Sequence, residues 1–206
     1  MIVLSHRGYW QHPDEKNGDL AFKRSFDLGF GTETDVRDHH GQLVISHDMP
    51  KGCELPLTGL IDRLNHRHLP LAINIKADGL VAPLTQFMKT AGVHDWFVFD
   101  MSIPDMRSYL QAGAPVFARM SEVEKNPAYF QETIGIWLDA FSSIWYTCDD
   151  VLALLKHGKR VCVVSPELHG REFSSLWQML LPLSKETQLM ICTDHPEQAR
   201  KFFGES

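Results

Sequence analysis

The chain has 206 residues, 44% of them hydrophobic, which is enough apolar material to bury a full core as one large domain or two small ones. A formal charge of −6 gives no broad attraction to nucleic acid or to an anionic membrane, so any anionic ligand must be held by a local site. The four cysteines, Cys53, Cys148, Cys162 and Cys192, lack CxxC spacing and read as reduced thiols, not as a zinc knuckle or a disulfide framework.

In chain order, the opening "MIVLSHRG" is too short in apolar residues for a signal peptide, and no later window reaches the roughly 18 uncharged apolar residues of a membrane span. A soluble, cytoplasmic protein without a transmembrane segment is expected. Short apolar runs then recur as candidate strands: IVLS (2–5), GTETDVR (31–37), LAINIK (71–76), WFVFD (96–100), PVFARM (115–120), IGIWLD (134–139), RVCVVS (160–165) and LMICTD (189–194). LVISH (43–47), after the turn at His40-Gly41, reads as a hairpin strand added beyond the second. Between the strands lie stretches with helical periodicity: DLAFKRSFDLG, LVAPLTQFMKTAG, IPDMRSYLQAG, DDVLALLKHG and EFSSLWQMLLPLSKE. Several of them stop at a glycine, as helices commonly do.

Strand followed by helix, repeated eight times, is the pattern of parallel βαβ units with right-handed crossovers. The expected fold is therefore α/β, a compact (β/α)8 TIM barrel with an added β-hairpin strand after strand two. An open doubly wound sheet is the alternative. No Ser/Gly/Pro-rich linker or composition shift interrupts the chain, so residues 1–206 read as a single domain.

In such a barrel the site forms at the carboxyl ends of the strands. Strand one ends in Ser5-His6-Arg7-Gly8. Strand two carries Glu33 and Asp35, two residues apart and so on one face, and strand three carries Asn74 and Lys76 with the same spacing. The hairpin ends in His47-Asp48. Two carboxylates on one face repel unless a cation lies between them, and a hard divalent ion with oxygen ligands (Mg²⁺ or Ca²⁺), helped by the Asn74 carbonyl, meets that need. Arg7 and Lys76 offer fixed positive charge for a phosphate, and His6 and His47 titrate in the range of a general acid and base. Together these residue types describe cleavage of a phosphodiester. Asp48 is open to orienting His47 or to capping the next turn, with orientation the better reading.

His12, His39, His40 and His94 read as solvated loop residues. Asp100, Arg119, Asp139, Glu167 and Asp194 each end a candidate strand, and each is open to a pocket-lining or a hydrogen-bonding role. Trp137, Trp145 and Tyr146 read as barrel packing or pocket wall, with core the safer reading for Trp137, while Trp10, just after HRG, is placed to meet substrate.

The segments SHRG (5–8), ETDVRDHHGQLVISHD (33–48), INIK (73–76) and TDHPEQARKF near the end, in this order, resemble the glycerophosphodiester phosphodiesterase family of the phosphatidylinositol-specific phospholipase C-like superfamily. Between residues 77 and 192 the resemblance lies in the strand-helix rhythm. It implies a metal-dependent hydrolase that cleaves a glycerophosphodiester, or a related small phosphodiester, to a phosphomonoester such as sn-glycerol 3-phosphate and an alcohol. It places the paired catalytic histidines on His6 and His47, the phosphate contact on Arg7, the metal carboxylates on Glu33 and Asp35, and the strand-three lysine on Lys76. Asn74 stands where members usually carry a third carboxylate. The segment Pro13-Asp14-Glu15-Lys16-Asn17-Gly18 replaces the usual PENT run, and only 26 residues separate His47 from Asn74, without the sizeable insertion many members have. Two further readings stay open: a member that binds a phosphorylated ligand without turnover, and a phosphodiesterase of a lipid or glycopolymer head group.

Overall fold

Every expected strand forms in the computed structural model, which describes residues 1–204. They are β1 (Ile2–His6), β2 (Gly31–His39), β4 (Leu71–Ile75), β5 (Trp96–Phe99), β6 (Phe117–Met120), β7 (Gly135–Leu138), β8 (Arg160–Val164) and β9 (Leu189–Thr193), with β3 (Gln42–Ile45) as the added strand. Their order across the sheet is β5-β4-β2-β1-β9-β8-β7-β6, with β3 antiparallel to β2 off this path. The pairs β2–β4, β4–β5, β6–β7, β7–β8 and β8–β9 are parallel. Beyond β5, Val98 makes a parallel bridge to Val116, its N–H donating to the Pro115 carbonyl at 2.9 Å, just before β6 begins. A run of eight parallel strands in this order, joined through helices, is the (β/α)8 TIM-barrel fold class.

Among the described residues seven α-helices accompany the strands: α1 (Asp19–Asp27), α2 (Leu57–Leu64), α3 (Val81–Thr90), α4 (Ile103–Gln111), α5 (Cys148–Lys156), α6 (Ser174–Leu180) and α7 (Pro196–Gly204). Strand and helix therefore do not alternate eight times as expected. Residues 121–134, joining β6 to β7, hold no helix. In its place the buried Lys159 donates from Nζ to the carbonyls of Phe130 (2.5 Å), Gln131 (3.2 Å) and Thr133 (2.5 Å), satisfying acceptors that a helix would satisfy internally. Helix α2, eight residues long with Gly59 in its first turn, adds to the helices expected from the sequence. The segment 172–186 is α6 followed by a 3-10 turn at Leu181–Leu183, where Pro182 cannot continue an α-helix. The hairpin strand ends at Ile45 instead of His47, since the Ser46 hydroxyl turns back to the Asp48 carbonyl at 2.8 Å.

The chain divides into two compact units, one of Met1–Leu4 with the chain from Phe117 onward, the other Ser5–Val116. The first centres on Ala118, Ile136, Val161, Val163, Trp177, Leu180, Leu189, Ile191 and Phe203. There Gly135 of β7 is obligatory: a Cβ on it would lie 2.4 Å from the Phe117 ring of β6. Trp137 is buried, as expected of a core residue. The second unit buries Phe22 and Phe26 of α1, Leu57 and Leu60 of α2, Leu71 and Ile73 of β4, and Phe97 and Phe99 of β5. No described helix is long and apolar enough to cross a membrane.

Candidate active site

Strand β2 alternates, and its two faces do different work. Thr32 faces the layer of α1, where its hydroxyl joins those of Ser5 and Ser25 in a buried network of 2.7–3.2 Å bonds. Glu33 and Asp35 point the other way and are almost wholly removed from solvent, 2% and 0% exposed. Parallel register sets Asp35 opposite Asn74 of β4, and the Lys76 N–H donates to the Val36 carbonyl at 3.0 Å, carrying the pairing one residue past the strand.

Strand β1 ends in a left-handed turn at Arg7 (φ 56°) and Gly8 (φ 80°). The turn aims the Arg7 N–H at Glu33 Oε2 (3.2 Å) and the Gly8 N–H at Thr32 Oγ1 (3.0 Å). Glycine is required at position 8, because a Cβ would meet Ala21 Cβ at 2.8 Å in a backbone region that L-residues rarely adopt. The Arg7 side chain turns back so that Nε stands 3.0 Å from Asp35 Oδ2; its N–H is off the line of a hydrogen bond, so the contact is one of charge. On the other oxygen, Asp35 Oδ1, the Lys76 ammonium approaches to 3.4 Å, again without hydrogen-bond alignment. His6 Nε2 lies 3.9 Å from Glu33 Oε2.

One residue of this cluster was not singled out by the sequence. Asn17, left-handed at φ 58°, donates from Nδ2 to Asp35 Oδ2 at 2.9 Å and accepts the Thr34 hydroxyl on Oδ1 at 2.9 Å, while its N–H reaches the Arg7 carbonyl at 2.9 Å. An asparagine in the Lys16-Asn17-Gly18 turn ahead of a helix is the kind of residue that tolerates such a backbone, and that was the available signal.

The structure thus gathers His6, Arg7, Glu33, Asp35, Asn74 and Lys76 at the strand ends of one unit. His47 is exposed, and its Nδ1 pairs with Asp48 Oδ1 at 2.8 Å, the orienting contact expected of Asp48. Its carbonyl accepts two bonds from the Arg37 guanidinium, at 3.2 and 3.1 Å, which fix the segment after β3. The Asp48 carboxyl is held below its usual range mainly by the His47 hydrogen bond, with the Arg7 charge among the further causes, so the His47–Asp48 pair lies within electrostatic reach of Arg7. Trp10 carries the Lys16 ammonium 4.3 Å above its ring.

Burial, and next the Asp35 charge, push the Glu33 carboxyl up to about 8, against the opposing pull of Arg7 and Lys76. Asn74 turns its Nδ2 to Asp100 Oδ2 at 3.4 Å, and its Oδ1 is buried with no hydrogen-bond partner. Among the described residues no three His, Cys, Asp or Glu side chains group as a metal cluster. The oxygens on offer are instead two carboxylates and an amide carbonyl. A carboxylate oxygen and an amide oxygen buried without aligned donors, beside a carboxyl that cannot easily ionise, fit a hard divalent cation.

The late strand ends behave differently. Asp139 pairs with His169 at 2.7 Å and accepts the Ala140 N–H at 2.7 Å, and Glu167 accepts the hydroxyls of Ser165 and Thr193. These two acids are bound into hydrogen bonds within their own unit.

No protein-family model matches the chain, and comparison with curated proteins finds no match. Solved structures do share its TIM-barrel fold over nearly the whole length. A candidate glycerophosphodiester phosphodiesterase from Galdieria sulphuraria superposes with a TM-score of 0.78 at 15% identity, covering 99% of this chain and 98% of that one. The glycerophosphodiester phosphodiesterase of Agrobacterium tumefaciens gives 0.71 at 19% identity, with 98% of each chain covered. An Oleispira antarctica phosphodiesterase, solved with its product sn-glycerol-3-phosphate, gives 0.73 at 16% identity and covers 98% of this chain and 96% of its own.

Proposed function

We propose that the chain is a metal-dependent phosphodiesterase that hydrolyses a glycerophosphodiester, or a related small phosphodiester, to a phosphomonoester such as sn-glycerol 3-phosphate and an alcohol. The observation that carries this reading is the placement of Arg7 and Lys76 on the two oxygens of the buried Asp35, beside Glu33, at the strand ends of a barrel shared with glycerophosphodiester phosphodiesterases. A buried acid flanked by two cations at a barrel's strand ends is costly for folding alone.

Glu33, Asp35 and the Asn74 carbonyl would hold a divalent cation, Mg²⁺ or Ca²⁺, which when bound supplies Lewis-acid polarisation of a phosphoryl oxygen. Arg7 and Lys76 then have their charge available to the remaining phosphoryl oxygens, Arg7 through its fork and Lys76 as a point charge. His6 and His47 divide the proton transfers: one takes the proton of the attacking hydroxyl, from water or a vicinal alcohol of the substrate, and the other returns one to the leaving alkoxide. Asp48 fixes the ring of His47 through Nδ1, leaving Nε2 for the transfer.

The test is release of glycerol 3-phosphate from glycerophosphocholine and glycerophosphoethanolamine with Mg²⁺, Ca²⁺ or Mn²⁺, against a chelator control. Cation-dependent release supports the reading. No turnover of a broad phosphodiester panel with any of these ions would overturn catalysis and leave ligand binding without turnover, the reading that Asn74 at the third-carboxylate position favours.

A further inference from the structure

We infer that Asp100, at the carboxyl end of β5, positions Asn74 so that its carbonyl oxygen serves in place of the missing third carboxylate. The inference rests on the cation reading above. Register pairs Asn74 of β4 with Phe99 of β5, so Asp100 is the next residue along the neighbouring strand. Its Oδ2 accepts from Asn74 Nδ2 at 3.4 Å. A carboxylate has only acceptors to offer, so it must meet the donor end of an amide, and this fixes which way the Asn74 side chain faces. The consequence is the Asn74 carbonyl oxygen: it is turned away from Asp100 and buried in a residue only 8% exposed, with no hydrogen bond to the protein. An unbonded buried amide oxygen is costly to fold and is what an oxygen-seeking cation would relieve.

Backbone geometry at position 100 agrees. Asp100 is left-handed, at φ 65°, between the end of β5 and the Ser102 cap of α4, and aspartate is among the few non-glycine residues that enter this region readily. Among the late rim acids, Asp139 and Glu167 make their hydrogen bonds in the other unit, whereas one bond of Asp100 goes to a residue of the site.

Calorimetric titration with Mn²⁺ on the full chain, without substrate, tests this. Asp100→Asn keeps shape and tolerance of the left-handed backbone while removing the charge, and is expected to weaken Mn²⁺ binding by about 10- to 100-fold, the usual effect of losing a partner of a metal ligand. The exchanged pair, Asn74→Asp with Asp100→Asn, rebuilds the same hydrogen bond with amide and carboxylate swapped, and is expected to recover the affinity to within a few-fold. Wild-type binding with an unchanged Asp100→Asn variant would overturn the role of Asp100 and leave the cation reading standing. Absence of Mn²⁺ binding to the wild type would overturn the cation reading itself, and the inference with it. A cation-free Asp100→Asn protein that fails to fold, with no recovery in the exchanged pair, would make the carboxylate structural and also overturn the inference.

Discussion

Lys159, in the unit that begins again at Phe117, is 6% exposed and its ammonium spends all three protons on the carbonyls of the β6–β7 connection. Asp35, in the Ser5–Val116 unit, is wholly buried, yet one of its oxygens has a cation nearby and no aligned hydrogen bond, and its neighbour Glu33 is driven towards neutrality. Both are buried charges. The first is satisfied by fixed protein groups and closes a loop, which is what a structural charge does; the second is left in deficit, which folding alone does not explain. The difference lies in the surroundings of these two charges: Lys159 gives every proton to a fixed carbonyl, whereas Asp35 keeps one oxygen without an aligned donor.

That contrast can be broken most sharply at the histidines. His6→Ala and His47→Ala are expected to lower the rate of phosphodiester hydrolysis by roughly 10²- to 10⁴-fold, the usual share of general acid-base catalysis, with melting temperatures close to wild type. A large loss of stability in both variants would move them to the structural side. Next in size, Lys159→Met leaves carbonyls of the 121–134 connection without donors and is expected to cost about 2 to 4 kcal/mol in urea unfolding while hydrolysis in the other unit persists. If stability is unchanged, the buried ammonium does not organise that connection.

The smallest effect has the opposite sign. Glu33 is raised to about 8 from an ordinary value of 4.5, so between these pH values the native state keeps a proton that the unfolded chain has released. More protons bound to the native state means that stability falls as pH rises through this window, and the loss is complete above pH 8. Glu33→Gln removes the titration, and its stability is expected to vary less over that range than the wild type's. At pH 9 the variant should exceed the metal-free wild type by about 0.5 to 2 kcal/mol, even though activity falls. Equal pH slopes for the two proteins in thermal melts would show that Glu33 is not the group responsible.

Several residues show how far reading along the chain reaches. The period of two in Gly31–His39 is visible directly and puts Glu33 and Asp35 on one face, because alternation is a local property of a strand. The eight barrel strands are legible for the same reason, as apolar runs punctuated by turn residues. The β6–β7 connection is not, because what replaces its helix is Lys159, some 28 residues from Gln131. Asn17 is missed on similar grounds: it lies 18 residues before the Asp35 carboxylate it bonds, and no periodicity links a turn to a strand. Asp100 could be noted as a strand end, but its tie to Asn74 depends on the register of β4 against β5.

By itself, then, the sequence determined the succession of strands and most helices, the faces on which the acids lie, and the residue types from which a phosphodiester site would be built, since each follows from local periodicity and side-chain chemistry. Only the tertiary structure decided which cation meets which carboxylate oxygen, that Asn17 and Asp100 belong with them, and that Asn74 keeps an unbonded oxygen. These are consequences of strand register and burial, which bring together groups distant in the chain and remove the water that would otherwise satisfy them.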